Sequence, residues 1–202
     1  MARKPKVVED RREQILDAAT HVFAHKGFIR ATNKDIADEA GITPGLIYHY
    51  FESKEDVLKA VIETRSPLRI LHTLSPETLA LPPDQFLHLI LLQVLRVVEN
   101  EPFVQLIRIL LPELLHNPQI APTALNTLKQ ALNFLEHYLQ NSMDRGVLRQ
   151  VDASLIAQTI FGCVMGFVLR RQLLHDPLAL RYSHEQIADA IIDTVLSGLL
   201  LR

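Results

Sequence analysis

Apolar side chains recur at steps of three and four residues along nearly the whole chain, and this spacing predicts helices. Near the N-terminus the repeating positions are Ile15, Ala18, Ala19, Val22 and Phe23. Gly27 follows at the point where a left-handed residue ends a helix. Alternating apolar and polar runs, the signature of half-buried strands, are lacking. The pattern therefore predicts an all-α protein.

Capping residues predict where the next helices begin. Thr32 and Asp35 have the spacing of a capping box, so a second helix is expected from about Asn33. Thr43 followed by Pro44 predicts a third helix, because proline at the first helical position loses no hydrogen bond. Six later helices are expected. Their ranges are Ser53 towards Thr64, Asp84 to Glu99, Pro102 to about Leu115, a leucine-rich helix through 125–139 that ends at Gly146, Asp152 to about Arg171, and Ser183 to the C-terminus. The expected total is about nine helices.

Composition places the chain among ordinary globular proteins. It has 202 residues, of which 48% are hydrophobic and 22% are charged, so disorder and low complexity are excluded. Cys163 is the single cysteine, which suits a reducing compartment and predicts a buried structural thiol. The charged N-terminus lacks the apolar stretch of a secretory signal. The apolar window Phe86–Val98 is too short to span a membrane. A cytoplasmic protein without a membrane partner is expected.

The chain changes composition near residue 65. Six of its seven lysines precede that point, and prolines at 67, 76, 82 and 83 follow it. This predicts a small domain at 1–65 joined to a larger helical domain at 66–202.

Two short helices joined through Ala40-Gly41-Ile42 form a predicted helix-turn-helix between Thr32 and Lys54. Four apolar positions, Ile36, Ala37, Ile42 and Ile47, would form its core. The second of these helices then presents its N-terminal residues outward, where a major groove can receive them. Candidate DNA-contacting residues are Thr32, Lys34, Thr43, Pro44, Gly45, Tyr48, His49 and Lys54.

Local charge gives this segment little net attraction for DNA. Between Lys26 and Lys54, four lysines and arginines balance four acidic residues, and the formal net charge of the chain is -2. The first twelve residues carry five cations against two anions, an excess of three positive charges. These cations are Arg3, Lys4, Lys6, Arg11 and Arg12. They would form either an arm that grips DNA or a disordered solubilising tail.

The motifs of residues 9–60 resemble the N-terminal domain of the tetracycline-repressor (TetR) family of bacterial transcription regulators. The resemblance rests on Ile15-Leu16-Asp17-Ala18-Ala19, Phe23, Gly27-Phe28, Asp35-Ile36-Ala37, Ala40-Gly41-Ile42, Gly45-Leu46-Ile47-Tyr48-His49-Tyr50-Phe51 and Ser53-Lys54-Glu55. Two positions depart from the family pattern. Ala31 stands where threonine is common, and Asn33 where a small apolar residue is usual.

The resemblance implies a homodimer whose third helices read a near-palindromic DNA operator. The half-sites would lie about 34 Å apart, one helical turn of DNA. By the same resemblance Thr43, Pro44 and Gly45 lie at bases or phosphates, Tyr48 and His49 at the backbone, and Lys54 at a phosphate. The C-terminal helices would build the dimer interface and a pocket for a small molecule, whose binding moves the fourth helix. A repressor is favoured over an activator.

The larger domain supplies candidates for that pocket and that interface. An apolar effector site would use Phe103, Ile107, Phe134, Tyr138, Phe161 and Met165 as walls, with Gln93, Arg108 or His137 as polar groups. A subunit contact would use Gly162, Gly166, Ile187, Ile191, Val195 and Leu199. Each of these residues also fits ordinary packing within one subunit. Few aromatic residues, no tryptophan and abundant leucine would suit a hydrophobic, lipophilic or acyl-type effector, and the same composition also fits a core built of leucine.

Catalytic and metal-binding patterns are lacking in the sequence. The spacings His-Glu-x-x-His and Cys-x-x-Cys do not occur, and there is no nucleophile elbow or glycine-rich phosphate loop. We expect no metal, no cofactor and no enzymatic activity. The alternatives are an enzyme built on a helical bundle, and a helical interaction module that does not read DNA.

Overall fold

The computed structural model of the protein describes residues 5–71, 73–116 and 121–199. Every regular element in these ranges is helical, as predicted. The α-helices are α1 (Pro5–Lys26), α2 (Asn33–Ala40), α3 (Pro44–Tyr50), α4 (Lys54–Arg65), α5 (Leu68–Leu71), α6 (Pro76–Leu79), α7 (Pro83–Val98), α8 (Glu101–His116), α9 (Ala121–Asp144), α10 (Ala153–Val168) and α11 (His184–Ser197). All the predicted helices are present within these ranges.

Several details differ from the sequence expectation. The one-turn helices α5 and α6 were not predicted, nor was the π-helical turn Leu169–Leu173 that continues α10. Helix α8 contains Pro112 and runs to His116, one residue past the expected end near Leu115. Cys163 is half-buried and not fully buried. These differences arise in short segments and at single positions, where helical periodicity carries little information.

The chain folds into two compact units. The first comprises residues 1–65 with 101–125, and the second comprises residues 66–100 with 126–202. The expected break near residue 65 is one boundary between the units. Helix α8, expected within the larger domain, belongs to the first unit instead.

In the first unit, α1 packs against α2, α4 and α8. Its apolar positions are buried as predicted, with Ile15 and Phe23 no more than 1% exposed. The ring of Phe23 meets Phe28 edge to face, with the centroids 5.2 Å apart. Gly27 ends α1 with φ of 76°, a left-handed conformation that favours glycine.

Thr32 and Asp35 form the predicted capping box at the start of α2. The Thr32 hydroxyl accepts a hydrogen bond from the Asp35 N–H, and the Asp35 carboxylate accepts from the Thr32 N–H at 2.9 Å. Lys26 Nζ donates to the same carboxylate at 2.7 Å. The Lys26 and Thr32 hydrogen bonds lower the pKa of Asp35 to about 2.

This shift predicts an acid-sensitive contribution of Asp35 to stability. A carboxylate with a depressed pKa in the folded state stabilises the fold above its unfolded pKa, and the contribution is lost as pH falls. Between about pH 4 and pH 2, wild type and Asp35→Asn should therefore converge in unfolding free energy, measured by urea titration. The matched control is Asp38→Asn, at an exposed position of α2. A difference for Asp35→Asn that stays constant across this pH range would contradict the assignment.

The core of the second unit forms around α7, which packs against α11. Phe86 is fully buried, and its ring stacks on Tyr138 of α9 with the centroids 3.7 Å apart. The Tyr138 hydroxyl donates to the carbonyl of Leu81 at 3.0 Å. Burial raises the pKa of the Tyr138 phenol. The predicted leucine seam of α9 is buried mainly at its C-terminal end, since Leu139 is fully buried while Leu125 is 48% exposed.

A buried ion cluster joins three elements of the second unit. Glu99, at the C-terminal end of α7, pairs with Arg171 Nε at 2.5 Å. His184 Nε2, at the start of α11, lies 2.8 Å from the other Glu99 oxygen. Arg171 also donates to the carbonyls of Ala179 and Tyr182. The cluster holds the irregular segment between α10 and α11 in place.

Candidate nucleic-acid interface

Three of the four predicted core residues of the helix-turn-helix are buried, whereas Ile42 is half-buried. Ile36, Ala37 and Ile47 are completely buried, which fixes α3 against α2. Gly41 has φ of 63°, and its N–H and that of Ile42 bond back to the end of α2. The tight turn therefore depends on a residue that adopts the left-handed conformation without strain.

The outward face of α3 carries the predicted contact residues, and all of them are exposed. They are Thr43, Pro44, Gly45, Tyr48 and His49. Tyr48 is 60% exposed, so its ring is not a core aromatic. Thr43 occupies the N-cap position, but its side chain makes no capping hydrogen bond. Its hydroxyl is therefore not used by the helix and can serve an external partner.

Gly45 gives a prediction that separates folding from DNA reading. A Cβ added at Gly45 would meet no atom of the described chain within 4 Å, so packing does not require glycine there. We expect Gly45→Ala to stabilise the protein by up to about 1 kcal/mol, because alanine is the better helix former. We also expect operator affinity to fall about tenfold, because the methyl group holds the DNA away from α3. Thermal unfolding and fluorescence anisotropy measure the two effects, and unchanged affinity would contradict the close approach.

Thr32 and Lys34 lie at the start of α2 and are both exposed. The Thr32 hydroxyl already donates to the Asp35 carboxylate at 2.8 Å, within the capping box. Lys34 extends from the first turn of the same helix. A DNA contact by either residue remains a prediction.

Lys54 differs from the expectation. Its ammonium was expected at a DNA phosphate, but it donates to the carbonyls of Phe28, Ile29 and Ala31 at 2.7, 3.2 and 2.9 Å. It also lies over the Phe28 ring, 4.5 Å from the centroid. Since an ammonium has three N–H donors, the folded chain already uses all of them. The structure thus assigns Lys54 to the loop between α1 and α2.

The basic arm also differs from the expectation, because α1 begins at Pro5. Arg11 donates to Gln14 at 2.7 Å, and the Arg12 guanidinium lies 5.4 Å from the ring centroid of Phe51. Both arginines are therefore part of a helix and not of an extended arm. Arg3 and Lys4 lie outside the described residues, and the Lys6 side chain is not described.

The effector candidates are divided between the two units. Phe103 and Ile107 lie on α8 in the first unit, where Phe103 is buried and Ile107 is half-buried. The other four, Phe134, Tyr138, Phe161 and Met165, belong to the second unit. Phe161 and Met165 are half-buried on α10.

Two open grooves of the second unit contain some of the candidate effector residues. A groove of about 490 Å³ is lined by Leu79, Phe134, His137, Tyr138, Asn141, Asp144 and Arg145. A larger groove of about 650 Å³, between α7 and α11, includes the predicted polar residue Gln93 together with Arg96, His88 and Asp189. Phe134, His137 and Tyr138 thus line one groove and Gln93 lines the other, and their role in effector binding stays a prediction.

The interface candidates fall into two classes. Gly162 and Gly166 are exposed on α10, and no described atom lies within 4 Å of a Cβ added at either one. The four apolar candidates of the C-terminal helix, Ile187, Ile191, Val195 and Leu199, are at most 8% exposed. Ile187, Ile191 and Val195 pack inside the protomer, since α11 lies against α7 and α10, and Leu199 is buried just beyond the end of α11. The predicted subunit contact at these four positions is corrected accordingly.

The exposed surface of α10 includes Leu155 and the two glycines Gly162 and Gly166. Together with the following turn, Ala153–Leu173 is the one described helix long and apolar enough to cross a membrane, and 28% of its apolar 18-residue window is buried. The core helix of a soluble protein meets the same criterion. Leu155 is 65% exposed and Leu169 is 44% exposed on this surface.

Two contacts near the helix-turn-helix could not be expected from local sequence. Glu113 of α8 accepts a hydrogen bond from the Phe28 N–H at 2.9 Å, across 85 residues. Arg65, at the end of α4, pairs with Glu13 and Asp17 of α1. Both contacts join residues distant in sequence, so no periodicity or capping signal marks them.

Comparison with known proteins agrees with this architecture. The family model for bacterial regulatory proteins of the tetR family matches residues 15–61. The model for the C-terminal domain of AefR-like transcriptional repressors matches residues 85–198, more than half of the chain.

Individual relatives match in two ways. The transcriptional regulator HbdR of Aromatoleum sp. (strain CIB) is 47% identical over 64 residues, which cover 30% of this chain and 28% of that protein. UidR of Escherichia coli (strain K12) is 25% identical over 195 residues, 93% of each chain. The structure of the regulator FadR from Bacillus subtilis, in complex with stearoyl-CoA, superposes with a TM-score of 0.73 at 25% identity and covers 92% of this chain and 98% of that one. The chain therefore belongs to the TetR family of bacterial transcription regulators.

Proposed function

We propose that the protein is a homodimeric transcriptional repressor that binds a near-palindromic operator in the cytoplasm and is released by a small hydrophobic effector. The observation that carries this proposal is the exposed face of α3, on a helix-turn-helix whose core residues Ile36, Ala37 and Ile47 are completely buried. Thr43 and Tyr48 present hydroxyl groups there, and His49 presents a ring nitrogen. Such groups donate to phosphates and base edges in a major groove.

A dimer is needed because one short reading helix offers few contacts. Residues 26–54 have no net charge, so non-specific attraction supplies little affinity. Two copies of α3, held about 34 Å apart, would bind two half-sites on one face of the duplex. Affinity and specificity would then come from paired contacts at symmetric positions.

The subunit contact is proposed on the exposed face of α10 with the adjoining face of α11. Gly162 and Gly166 leave room for a partner helix to approach closely. On α11 the exposed positions include Ala190, Thr194 and Ser197, all of which are small. A second copy would bury Leu155 and the rest of the apolar surface that the protomer leaves open.

Gly166→Leu should shift this dimer towards the monomer. The larger side chain prevents close approach of the helices, and we expect the dimer dissociation constant to rise about tenfold or more. Sedimentation equilibrium measures this directly. Gln130→Leu adds the same side chain at an exposed position of α9 and is the control. A Gly166→Leu protein that dimerises as tightly as wild type would place the interface elsewhere.

The proposed effector is an amphipathic molecule with an apolar body. Leu79 and Phe134 give the groove at α9 an apolar wall, while His137 and Arg145 supply groups for an anionic or polar end. The related FadR of Bacillus subtilis binds stearoyl-CoA, whose long chain and charged group have this character. We propose this groove as the first place to look for the effector.

The experiment that tests the function is selection of bound sequences from a random duplex pool by purified full-length protein at physiological salt. Enrichment of a near-palindrome supports a dimeric DNA reader. Candidate amphiphiles are then tested for release of that complex.

A selection that enriches nothing has two possible causes, which a second measurement separates. Mass spectrometry of an organic extract of the protein detects a co-purified effector. Protein freed of that molecule should then enrich a site. Effector-free protein that enriches none would favour a helical interaction module and overturn the proposal.

A further inference from the structure

Glu113 of α8 contributes a buried carboxylate to the first unit, and its hydrogen-bond partner Phe28 lies 85 residues away in the sequence. The residue lies near the end of α8 and is 8% exposed. Its Oε1 accepts the N–H of Phe28 at 2.9 Å. The α1 end is also close to this oxygen, since a Cβ added at Gly27 would lie 3.8 Å from it.

The Glu113 bond completes a clamp on the loop between α1 and α2. Lys54 holds the carbonyls of Phe28, Ile29 and Ala31 from the α4 side. Glu113 takes the one N–H of Phe28 from the α8 side. The Phe28 side chain is itself 3% exposed, so the backbone of this loop is held at a buried point. The loop leads directly into α2, on which the reading helix α3 packs.

Burial of the Glu113 carboxylate costs free energy, because one of its oxygens loses water and gains no donor from the part of the chain that the structure describes. Glu113 Oε2 is buried, and no donor among the described residues reaches it. A buried acceptor without a donor loses its hydration and gains nothing in return. An apolar side chain of similar size would avoid that cost but would leave the Phe28 N–H unpaired. The group is therefore suited to holding a position rather than to maximising stability.

In the sequence, helix α8 stands between two helices that lie wholly or mostly in the second unit. Helix α8 packs in the first unit, whereas α7 before it and most of α9 after it belong to the second. Because α8 is one continuous helix of the first unit, a shift of α8 would move Glu113 and the Phe28 N–H that is bonded to it. The Phe28 N–H is the backbone group of the reading unit to which that helix is hydrogen-bonded through Glu113.

We infer that Glu113 is a positioning residue for operator binding: its hydrogen bond to Phe28 fixes the α1–α2 loop, and through it the reading helix, to α8. This inference rests on the proposed DNA-binding function. By linkage, operator binding should tighten the same bond.

The test compares full-length wild type, Glu113→Met and Glu113→Gln. Methionine fills the space but accepts no hydrogen bond from Phe28, whereas glutamine keeps an acceptor oxygen. We expect Glu113→Met to bind the selected operator about tenfold more weakly, because the Phe28 N–H loses its acceptor, and Glu113→Gln to stay within about twofold of wild type, because its amide oxygen still accepts that N–H. Melting temperatures report whether each variant folds.

Hydrogen exchange of the Phe28 amide, measured relative to other buried amides of α1, separates a local effect from a general change in stability. In wild type, operator binding should slow exchange of the Phe28 amide and of α8. In Glu113→Met the Phe28 amide should exchange faster than in wild type, and operator should protect α8 less. Because the wild-type comparison needs no variant, the test holds even if Glu113→Met fails to fold.

The outcomes distinguish the inference from the function on which it rests. Wild type that binds no operator overturns the proposed function. Wild type that binds operator, with Glu113→Met equal to it in affinity and exchange, overturns the role of Glu113 alone. Equal loss in both variants also overturns it, since glutamine retains the acceptor.

Discussion

Glu99→Gln is expected to lower the free energy of unfolding by about 3 kcal/mol. The substitution keeps the shape of the side chain but leaves Arg171 as a buried charge without its counter-ion. The two side chains are 9% and 11% exposed, so water compensates little of the loss. Urea unfolding of the full-length protein measures the change.

A double variant separates charge from packing in this cluster. Glu99→Leu with Arg171→Met removes both charges and retains apolar volume, so it should recover most of the lost stability. The carbonyls of Ala179 and Tyr182 would lose their donor, which limits the recovery. If Glu99→Gln lowered the free energy of unfolding no more than a substitution at an exposed position does, the cluster would be open to solvent.

Lys54→Met is expected to cost about 2 kcal/mol of stability and to leave the salt dependence of operator binding unchanged. The loop between α1 and α2 loses its donors to three carbonyls and the cation above Phe28. Urea unfolding measures the first effect. The slope of log affinity against log salt concentration measures the second.

The slope distinguishes the two roles of Lys54. A lysine that neutralises a phosphate contributes about 0.9 to the slope of log affinity against log salt concentration. Removal of such a lysine would therefore reduce the slope measurably. Lys59→Met, at an exposed position of the same helix, is the control for loss of a positive charge. Unchanged stability with a reduced slope would restore the phosphate contact and refute the loop assignment.

The helices and the helix-turn-helix could be predicted because their signals are local. The box of Thr32 and Asp35, the turn at Gly41 and the proline at position 44 each act over a few residues, and the structure has all three. Outward exposure of Tyr48 follows from the same register, since the burial of Ile47 fixes the rotation of α3.

Partners distant in sequence could not be predicted in the same way. Lys54 follows the reading helix and carries a charge, which made a phosphate plausible, yet its carbonyl partners are 23 to 26 residues away. Glu113 reaches Phe28 only because α8 packs on α1. Periodicity reveals that a helix has an apolar face but not which helix covers it.

The C-terminal helix illustrates this limit. The sequence shows an apolar face there, formed by Ile187, Ile191, Val195 and Leu199. Its periodicity is the same whether a partner subunit or the protomer itself covers that face. The structure covers it from within, by α7 and α10. The open surface lies instead on α10, around the glycines at 162 and 166.

The most direct measurement of α3 as a DNA reader is a paired selection from random duplexes with wild type and Thr43→Val. Valine keeps the shape of threonine but removes its hydroxyl, and the helix loses no cap because that hydroxyl makes no capping bond. We predict a near-palindrome for wild type, and for the variant a loss of base preference at one symmetric position in each half-site. An identical consensus from both proteins would contradict base reading by Thr43, and no palindrome from effector-free wild type would contradict the assignment of α3 as the reading helix of a dimer.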